Sequence, residues 1–213
     1  MLTAGRLLAA PLVGVAFLYF TRPIADWFAL ILFAGAAITD FFDGYLARAW
    51  KQESKIGAML DPIADKAMVI IALIVLVAFS SSSIYIVLPA VLIAFREVFV
   101  SGLREYLGKG AVAVRVTWLA KWKTTVQMAA IAVLFAEGIA LHMFFARTIG
   151  MDEATLEGVL SGALPDAVGL VALEAALTWT GRIGVWGLWI AAAMTLWTGA
   201  DYLRKAWPAL KEG

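Results

Sequence analysis

Residues 39–65 read TDFFDGYLARAWKQESKIGAMLDPIAD, a stretch in which four aspartates stand near the ends of two apolar segments. The first two aspartates are spaced i, i+3 and the last two i, i+4, so each pair occupies one face of an α-helix. The short polar connection at 49–56 predicts that the two helices are antiparallel neighbours. The carboxylates are therefore expected to converge at one depth, the first of them about 10 Å inside its helix end. These aspartates are Asp40, Asp43, Asp61 and Asp65.

The composition of the chain indicates that this cluster lies in a lipid bilayer. Of the 213 residues, 63% are hydrophobic and 15% are charged, and the mean hydropathy is +0.88. A soluble protein of this length is less apolar, and its apolar residues do not gather in long runs. We predict an all-α polytopic membrane protein with six transmembrane helices. The spans are expected at about 4–21, 24–48, 57–80, 83–107, 116–146 and 183–203.

Lysine and arginine are distributed unevenly between the two ends of these spans. If the N-terminus is cytoplasmic, the opposite side receives only Arg22, Arg147 and Arg182. Positive charge concentrates on the cytoplasmic side of membrane proteins, so we expect both termini and the aspartates to face the cytoplasm of a bacterium. Residues 147–182 are expected to form an external insertion, interfacial or hairpin-like, in a single transmembrane catalytic domain of residues 1–213. A seventh span there would move the C-terminal cations outside.

The aspartate cluster predicts a site for a divalent cation. Neighbouring carboxylates in an apolar bundle repel one another and are poorly solvated, and one or two divalent cations remove both problems. The sequence contains no cysteine and only one histidine, which excludes thiolate and multi-histidine metal sites. Carboxylate ligands favour hard cations such as Mg²⁺ or Mn²⁺. Gly44 and Gly57 leave space beside the acids for a bulky ligand, and Arg48 can meet phosphate oxygens at the mouth of the site.

A divalent-cation transporter is the non-enzymatic alternative for such a cluster. Transport sites usually lie near the bilayer midplane on broken helices. Here the acids gather toward one interface, beside cationic residues that suit phosphate. This arrangement favours catalysis on a lipid headgroup.

The pattern Asp-x2-Asp-Gly-x2-Ala-Arg-x8-Gly-x3-Asp-x3-Asp, from Asp40 to Asp65, resembles the signature of the CDP-alcohol phosphotransferases. The resemblance implies a six-helix fold that is usually a homodimer, and displacement of CMP from a CDP-linked substrate by an alcohol. It also implies that the four aspartates bind two metal ions, Mg²⁺ or Mn²⁺, and that Asp65 is the general base. The positions implied to contact CDP-diacylglycerol are Gly44, Ala47, Arg48, Ser54 and Gly57.

The acceptor alcohol has to be inferred from the later helices. Cations and hydroxyls in REVFVSGLRE (96–105) and KWKTTVQ (121–127) suit a phosphate on the acceptor. Both stretches are similar to those of bacterial phosphatidylglycerophosphate synthases, which implies glycerol 3-phosphate as the acceptor. Sister enzymes that use phosphatidylglycerol, an inositol phosphate or serine remain alternatives, and simple membrane anchoring would also explain some of these cations. The candidate ligands of the acceptor phosphate are Arg96, Arg104, Lys121 and Lys123.

Overall fold

The structure, a computed structural model, describes the backbone of residues 2–50, 55–108 and 118–211. It describes the side chains within those ranges except at 2–4, 40–50, 55, 56, 58 and 118–121. Every regular element in the described backbone is an α-helix, as predicted. The helices are α1 (Leu2–Tyr19), α2 (Ile24–Trp50), α3 (Lys55–Phe79), α4 (Ile84–Leu107), α5 (Trp118–Thr148), α6 (Glu153–Leu160) and α7 (Leu170–Lys211).

Four of these helices, α3, α4, α5 and α7, are long and apolar enough to cross a membrane. Helices α1 and α2 contribute two shorter apolar segments, Gly5–Tyr19 and Ile24–Thr39, among the residues whose side chains are described. The six predicted spans correspond to α1 to α5 and α7. The predicted all-helical class is confirmed.

The chain packs as two compact units. Unit 1 consists of Met1–Ala72 and Ala132–Gly184, and unit 2 consists of Leu73–Ile131 and Val185–Gly213. Helices α3, α5 and α7 each contribute residues to both units. The single catalytic domain expected over residues 1–213 stays a prediction.

Unit 1 has an aromatic centre on closely packed helices. The ring of Phe135 on α5 lies 6.3 Å from that of Phe17 on α1 and 6.1 Å from that of Phe33 on α2. Helix α1 also contacts α3 through a small residue, as is common between membrane helices. A Cβ on Gly14 of α1 would lie 3.5 Å from Ile71 of α3. These contacts join α1, α2, α3 and α5 and fix α3 beside α1.

A buried ion pair at the start of α2 packs against α5 at another point of unit 1. The Arg22 guanidinium donates from Nε and Nη2 to the two carboxylate oxygens of Asp26, both at 2.7 Å. Asp26 is only 1% exposed. Gly138 of α5 lies directly against the pair, because a Cβ there would stand 2.5 Å from Arg22 Nη2 and Asp26 Oδ1. The absence of a side chain at this glycine therefore makes room for the ion pair.

The last helix differs from its predicted bounds. Helix α7 begins at Leu170 rather than at about 183, and it has 42 residues. The Asp166 carboxylate accepts the backbone N–H groups of Leu170 and Val171 at 2.8 and 3.0 Å and so caps the helix. These hydrogen bonds, that of Leu170 foremost, lower the pKa of Asp166. The apolar residues that follow are good helix formers, so Arg182, just before the expected start, lies within a continuous helix.

The expected insertion at 147–182 is consequently divided in two. Its first part holds the short helix α6 and the turn after it, and its second part is the beginning of α7. Gly162 and Gly169 have φ values of 80° and 72°, which an L side chain rarely adopts, and they shape the turn. Leu164 packs against Gly158, where a Cβ would lie 2.7 Å from it. The external placement of this region stays a prediction.

Unit 2 is formed by packing of α7 along α4 and α5. The Trp189 indole donates to the backbone oxygen of Tyr85 at 3.1 Å. A Cβ on Gly187 would lie 3.0 Å from the Ala130 side chain, so α7 approaches α5 closely at this glycine. Further along, Val100 of α4 packs with Tyr202 of α7 and its neighbours. Buried polar residues of the three helices include Glu97 of α4, Lys123 of α5 and Thr198 of α7.

Candidate active site

Two of the four predicted metal-binding aspartates have described side chains, and both belong to unit 1. Asp61 and Asp65 lie four residues apart on α3, and their side chains are 46% and 49% exposed. Asp40 and Asp43 lie in the helical backbone of α2, so their i, i+3 spacing is that of one helix face. The contacts of those two side chains lie outside the described residues. Convergence of all four carboxylates stays a prediction.

Asp61 and Asp65 converge on one buried cation, the guanidinium of Arg6 on α1. Arg6 donates from Nη1 to Asp65 Oδ1 at 2.7 Å and from Nη2 to Asp61 Oδ1 at 3.0 Å. The arginine is only 5% exposed. From the sequence, Arg6 is expected only as one of the cytoplasmic charges, so this role was missed. The signal available was an arginine close to the start of an apolar helix, which needs a counter-ion when buried.

The donor chemistry of this pair fits a divalent cation. Two carboxylate oxygens already meet at one positively charged group, and oxygen ligands are what Mg²⁺ and Mn²⁺ require. Their partial exposure leaves a route for a substrate. Among the side chains that the structure describes, no group of three or more acids and histidines surrounds a common point. The ligand set predicted from the sequence also includes Asp40 and Asp43, and it stays a prediction.

The predicted contacts with CDP-diacylglycerol fall mainly where side chains are not described. Gly57 lies in the first turn of α3, before Asp61, and is partly buried. The other residues lie in the C-terminal part of α2 or outside the described backbone, and their contacts stay predictions. They are Gly44, Ala47, Arg48 and Ser54.

Unit 2 brings together two of the predicted acceptor-phosphate ligands. Arg96 of α4 and Lys123 of α5 both donate to the same carboxylate oxygen, Glu97 Oε1, the arginine from Nη1 at 3.2 Å. Glu97 and Lys123 are 9% and 6% exposed. The Arg104 guanidinium is instead exposed and lies 5.7 Å from the Tyr202 ring centroid. The side chain of Lys121 lies outside the described residues. Binding of the acceptor phosphate by these cations stays a prediction.

Glu97 and Thr198 are members of this cluster that the sequence analysis missed. Arg96 donates from Nη2 to Thr198 Oγ1 of α7 at 3.0 Å. The signal for Glu97 was its position in the apolar helix directly after Arg96. Thr198 lies 102 residues from Arg96, and no local pattern connects them.

The sequence profile of the CDP-alcohol phosphatidyltransferases matches residues 1–197. The chain belongs to this family. A CDP-diacylglycerol–glycerol-3-phosphate 3-phosphatidyltransferase of Cereibacter sphaeroides is 54% identical over 212 residues, 100% of this chain and 96% of that protein. A protein of the same name from Pectobacterium atrosepticum is 37% identical over 209 residues, 97% of this chain and 92% of that protein. Another, from Haemophilus influenzae, is 41% identical over 133 residues, 61% of this chain and 70% of that protein.

The residues that match the profile of the CDP-alcohol phosphatidyltransferases lie in both units of the chain. The match includes the aspartates of α2 and α3 and the Arg96–Glu97–Lys123 cluster. Use of divalent metal ions is general in this family, which agrees with the oxygen donors found at Asp61 and Asp65. The apolar helices and the bacterial relatives together indicate a multi-pass protein of a bacterial inner membrane.

Proposed function

We propose that this protein transfers the phosphatidyl group of CDP-diacylglycerol to sn-glycerol 3-phosphate, forming phosphatidylglycerol phosphate and CMP. The observation that carries the proposal is the identity of 54% along the whole chain to a protein named for this reaction. The complete aspartate signature, with Asp61 and Asp65 meeting at one cation, supports the same chemistry.

The aspartates are assigned to the donor half of the reaction. Asp40, Asp43, Asp61 and Asp65 would hold Mg²⁺ or Mn²⁺, which stabilises negative charge on the transferred phosphoryl group and on CMP. Asp65 would accept the proton of the primary hydroxyl of glycerol 3-phosphate, whose oxygen attacks the β-phosphorus. Its side chain is 49% exposed, which leaves room for that hydroxyl. The residues assigned to CDP-diacylglycerol itself are Gly44, Ala47, Arg48, Ser54 and Gly57.

The buried cations of unit 2 are assigned to the phosphate of the acceptor. Arg96 and Lys123 share one carboxylate oxygen and are therefore held close together, as two ligands of one phosphate must be. Arg104 and Lys121 complete the proposed set. The charge distribution of the loops supports an active site that faces the cytoplasm. Membership of the family supports a homodimer.

The proposal is tested by release of CMP from the purified protein. Labelled CDP-diacylglycerol is supplied with Mg²⁺ or Mn²⁺ and with one acceptor at a time. We expect CMP and phosphatidylglycerol phosphate only with glycerol 3-phosphate, and no turnover after chelation of the metal. Turnover with phosphatidylglycerol, an inositol phosphate or serine instead would contradict the proposed acceptor. Metal flux into vesicles without CMP release would contradict the assignment of the protein as an enzyme.

A further inference from the structure

Glu97 lies between two cations in unit 2, and the proposed reaction does not otherwise use it. Its Oε1 accepts hydrogen bonds from Lys123 Nζ and from Arg96 Nη1. All three side chains are largely buried. Because the two cations bind a single oxygen atom, the carboxylate sets the distance between the ammonium and the guanidinium.

Arg96 is held from a second direction by α7. Its Nη2 donates to Thr198 Oγ1 at 3.0 Å, and the single proton of that hydroxyl is directed at the backbone oxygens of Met194 and Thr195. A Cβ on Gly199 would lie 3.0 Å from Arg96 Cγ, so the glycine lets the arginine stem lie against the helix. The guanidinium therefore has a fixed orientation, set by Glu97 on one side and Thr198 on the other.

Polar atoms around this cluster indicate a place for a ligand. Arg96 Nε, Gln127 Oε1 and Thr195 Oγ1 are buried and have no hydrogen-bond partner among the residues that the structure describes. Gln127 follows Lys123 by one helical turn, so these two residues share a face of α5. Thr195 precedes Thr198 by one turn, so these two share a face of α7. Buried polar atoms are normally hydrogen-bonded, and a bound polar molecule would satisfy them.

We propose that Glu97 is the positioning residue of the acceptor site. It holds the Lys123 ammonium and the Arg96 guanidinium at the spacing at which both bind the phosphate monoester of the acceptor. Glu97 acts through these cations and does not contact the substrate. The inference rests on the proposed function, because it names how the acceptor phosphate of that reaction is held.

The test is the kinetics of Glu97→Gln in the CMP-release assay. The amide keeps the size of the side chain but loses the charge that holds both cations, so they no longer keep one spacing. We expect the KM for glycerol 3-phosphate to rise at least tenfold, with the KM for CDP-diacylglycerol within twofold of the wild-type value. Glycerol 3-phosphate should also protect the wild-type protein, but not this variant, against thermal unfolding.

The matched control is Glu105→Gln, the same change at an exposed position on the same helix. It should leave both KM values unchanged. In a Lys123→Met background, Glu97→Gln should raise the KM by a smaller factor than in the wild type, because one of the two cations through which Glu97 acts is already absent. If Glu97→Gln does not fold, Glu97→Asp replaces it. Aspartate keeps the buried charge but is one methylene shorter, and the same selective rise in KM is expected.

Two results separate failure of this inference from failure of the proposed function. A folded Glu97→Gln protein whose KM for glycerol 3-phosphate is unchanged or lower contradicts the role of Glu97 and leaves the reaction standing. A wild-type protein that releases no CMP with glycerol 3-phosphate contradicts the proposed function itself.

Discussion

At the scale of single residues, Arg6 shows how the chain stabilises acids that are expected to bind metal. Its buried guanidinium binds Asp61 and Asp65, which come 55 and 59 residues later in the sequence. The meeting of Asp61 and Asp65 on one helix face could be predicted, because their spacing is local. The arginine could not be assigned to them, because the contact depends on how α1 packs against α3. The same holds for Thr198 beside Arg96.

Substitution of Arg6 should change the response of the protein to metal. In Arg6→Gln, Asp61 and Asp65 lose a shared counter-ion, so without metal the free energy of unfolding should fall by about 1–3 kcal/mol, between the values for exposed and buried pairs. Mn²⁺ should then raise the unfolding temperature of the variant more than that of the wild type, because it replaces the missing positive charge. Thermal unfolding with chelator and with Mn²⁺ measures both effects. Equal shifts by Mn²⁺ in the two proteins would contradict this explanation.

Asp65→Asn should abolish turnover while leaving the fold intact. Asparagine has the same shape and can still accept a hydrogen bond from Arg6, but it cannot take the proton of the acceptor hydroxyl. General-base catalysis is typically worth about 10²–10⁴-fold in rate, so CMP release should fall by at least the lower value. Asp201→Asn is the control, since Asp201 pairs only with exposed Arg204 and Lys205 in the described contacts of α7. Retained activity in Asp65→Asn would remove Asp65 as the base.

At the scale of helices, most helix ends could be predicted from the sequence, because charged residues or turns separate the apolar segments. Helix α4 was expected at 83–107 and extends over Ile84–Leu107. The start of α7 was missed by about 13 residues, because the apolar residues before Arg182 were assigned to an external insertion to keep the C-terminal cations cytoplasmic. One charge does not end a helix whose first turn is already capped by Asp166. Capping depends on a local backbone arrangement that composition alone does not reveal.

The cap at Asp166 should make the first turn of α7 sensitive to acid. Hydrogen bonds from Leu170 and Val171 lower the pKa of Asp166 below its ordinary value of 3.8. The ionised cap therefore stabilises the folded state at pH values above 3.8, and this stabilisation is lost as the pH falls through the lowered pKa. Hydrogen–deuterium exchange at these two amides, corrected for the intrinsic pH dependence, should show protection that disappears in this acidic range.

Asp166→Asn is the matched variant for the cap. Asparagine also accepts the helix N–H groups but does not titrate, so its protection should not change with pH in that range. An identical acid response in the two proteins would show that another group is responsible.

The glycine at 138 should tolerate no side chain. In Gly138→Ala the new Cβ would stand 2.5 Å from Arg22 Nη2 and from Asp26 Oδ1, so the buried pair has to move. Overpacking of this kind typically costs about 1–3 kcal/mol, and the midpoint of thermal unfolding should fall accordingly. Gly35→Ala on α2 is the control, because among the described residues no atom beyond its chain neighbours and its own helix backbone lies within 4 Å of the added Cβ. Equal midpoints for the two variants would contradict the packing described.

At the scale of the whole molecule, the length of α7 is the feature that bears most directly on topology. Its 42 residues extend over about 63 Å at 1.5 Å each, whereas the hydrocarbon core of a bilayer is about 30 Å thick. One end or both ends of α7 must therefore lie outside the hydrocarbon. The positive charges near Arg204 and Lys205 predict that the C-terminal end is cytoplasmic and that the segment from Leu170 is external.

Cysteine labelling can test this topology directly, because the chain has no cysteine of its own. Glu174→Cys and Lys205→Cys each introduce a single thiol at an exposed position of α7. In intact cells a membrane-impermeant maleimide should label Glu174→Cys at once. It should label Lys205→Cys only after the membrane is permeabilised. Equal labelling of both thiols before permeabilisation would contradict a single crossing by α7.

The pairing of Arg6 with Asp61 and Asp65 also bears on biosynthesis of the protein. Helix α1 is synthesised before α3, so the guanidinium is already in the membrane when the two acids emerge from the ribosome. Charged side chains are costly to insert alone, and a waiting partner lowers that cost. The newly made chain can thus bring α1 and α3 together without a supply of metal.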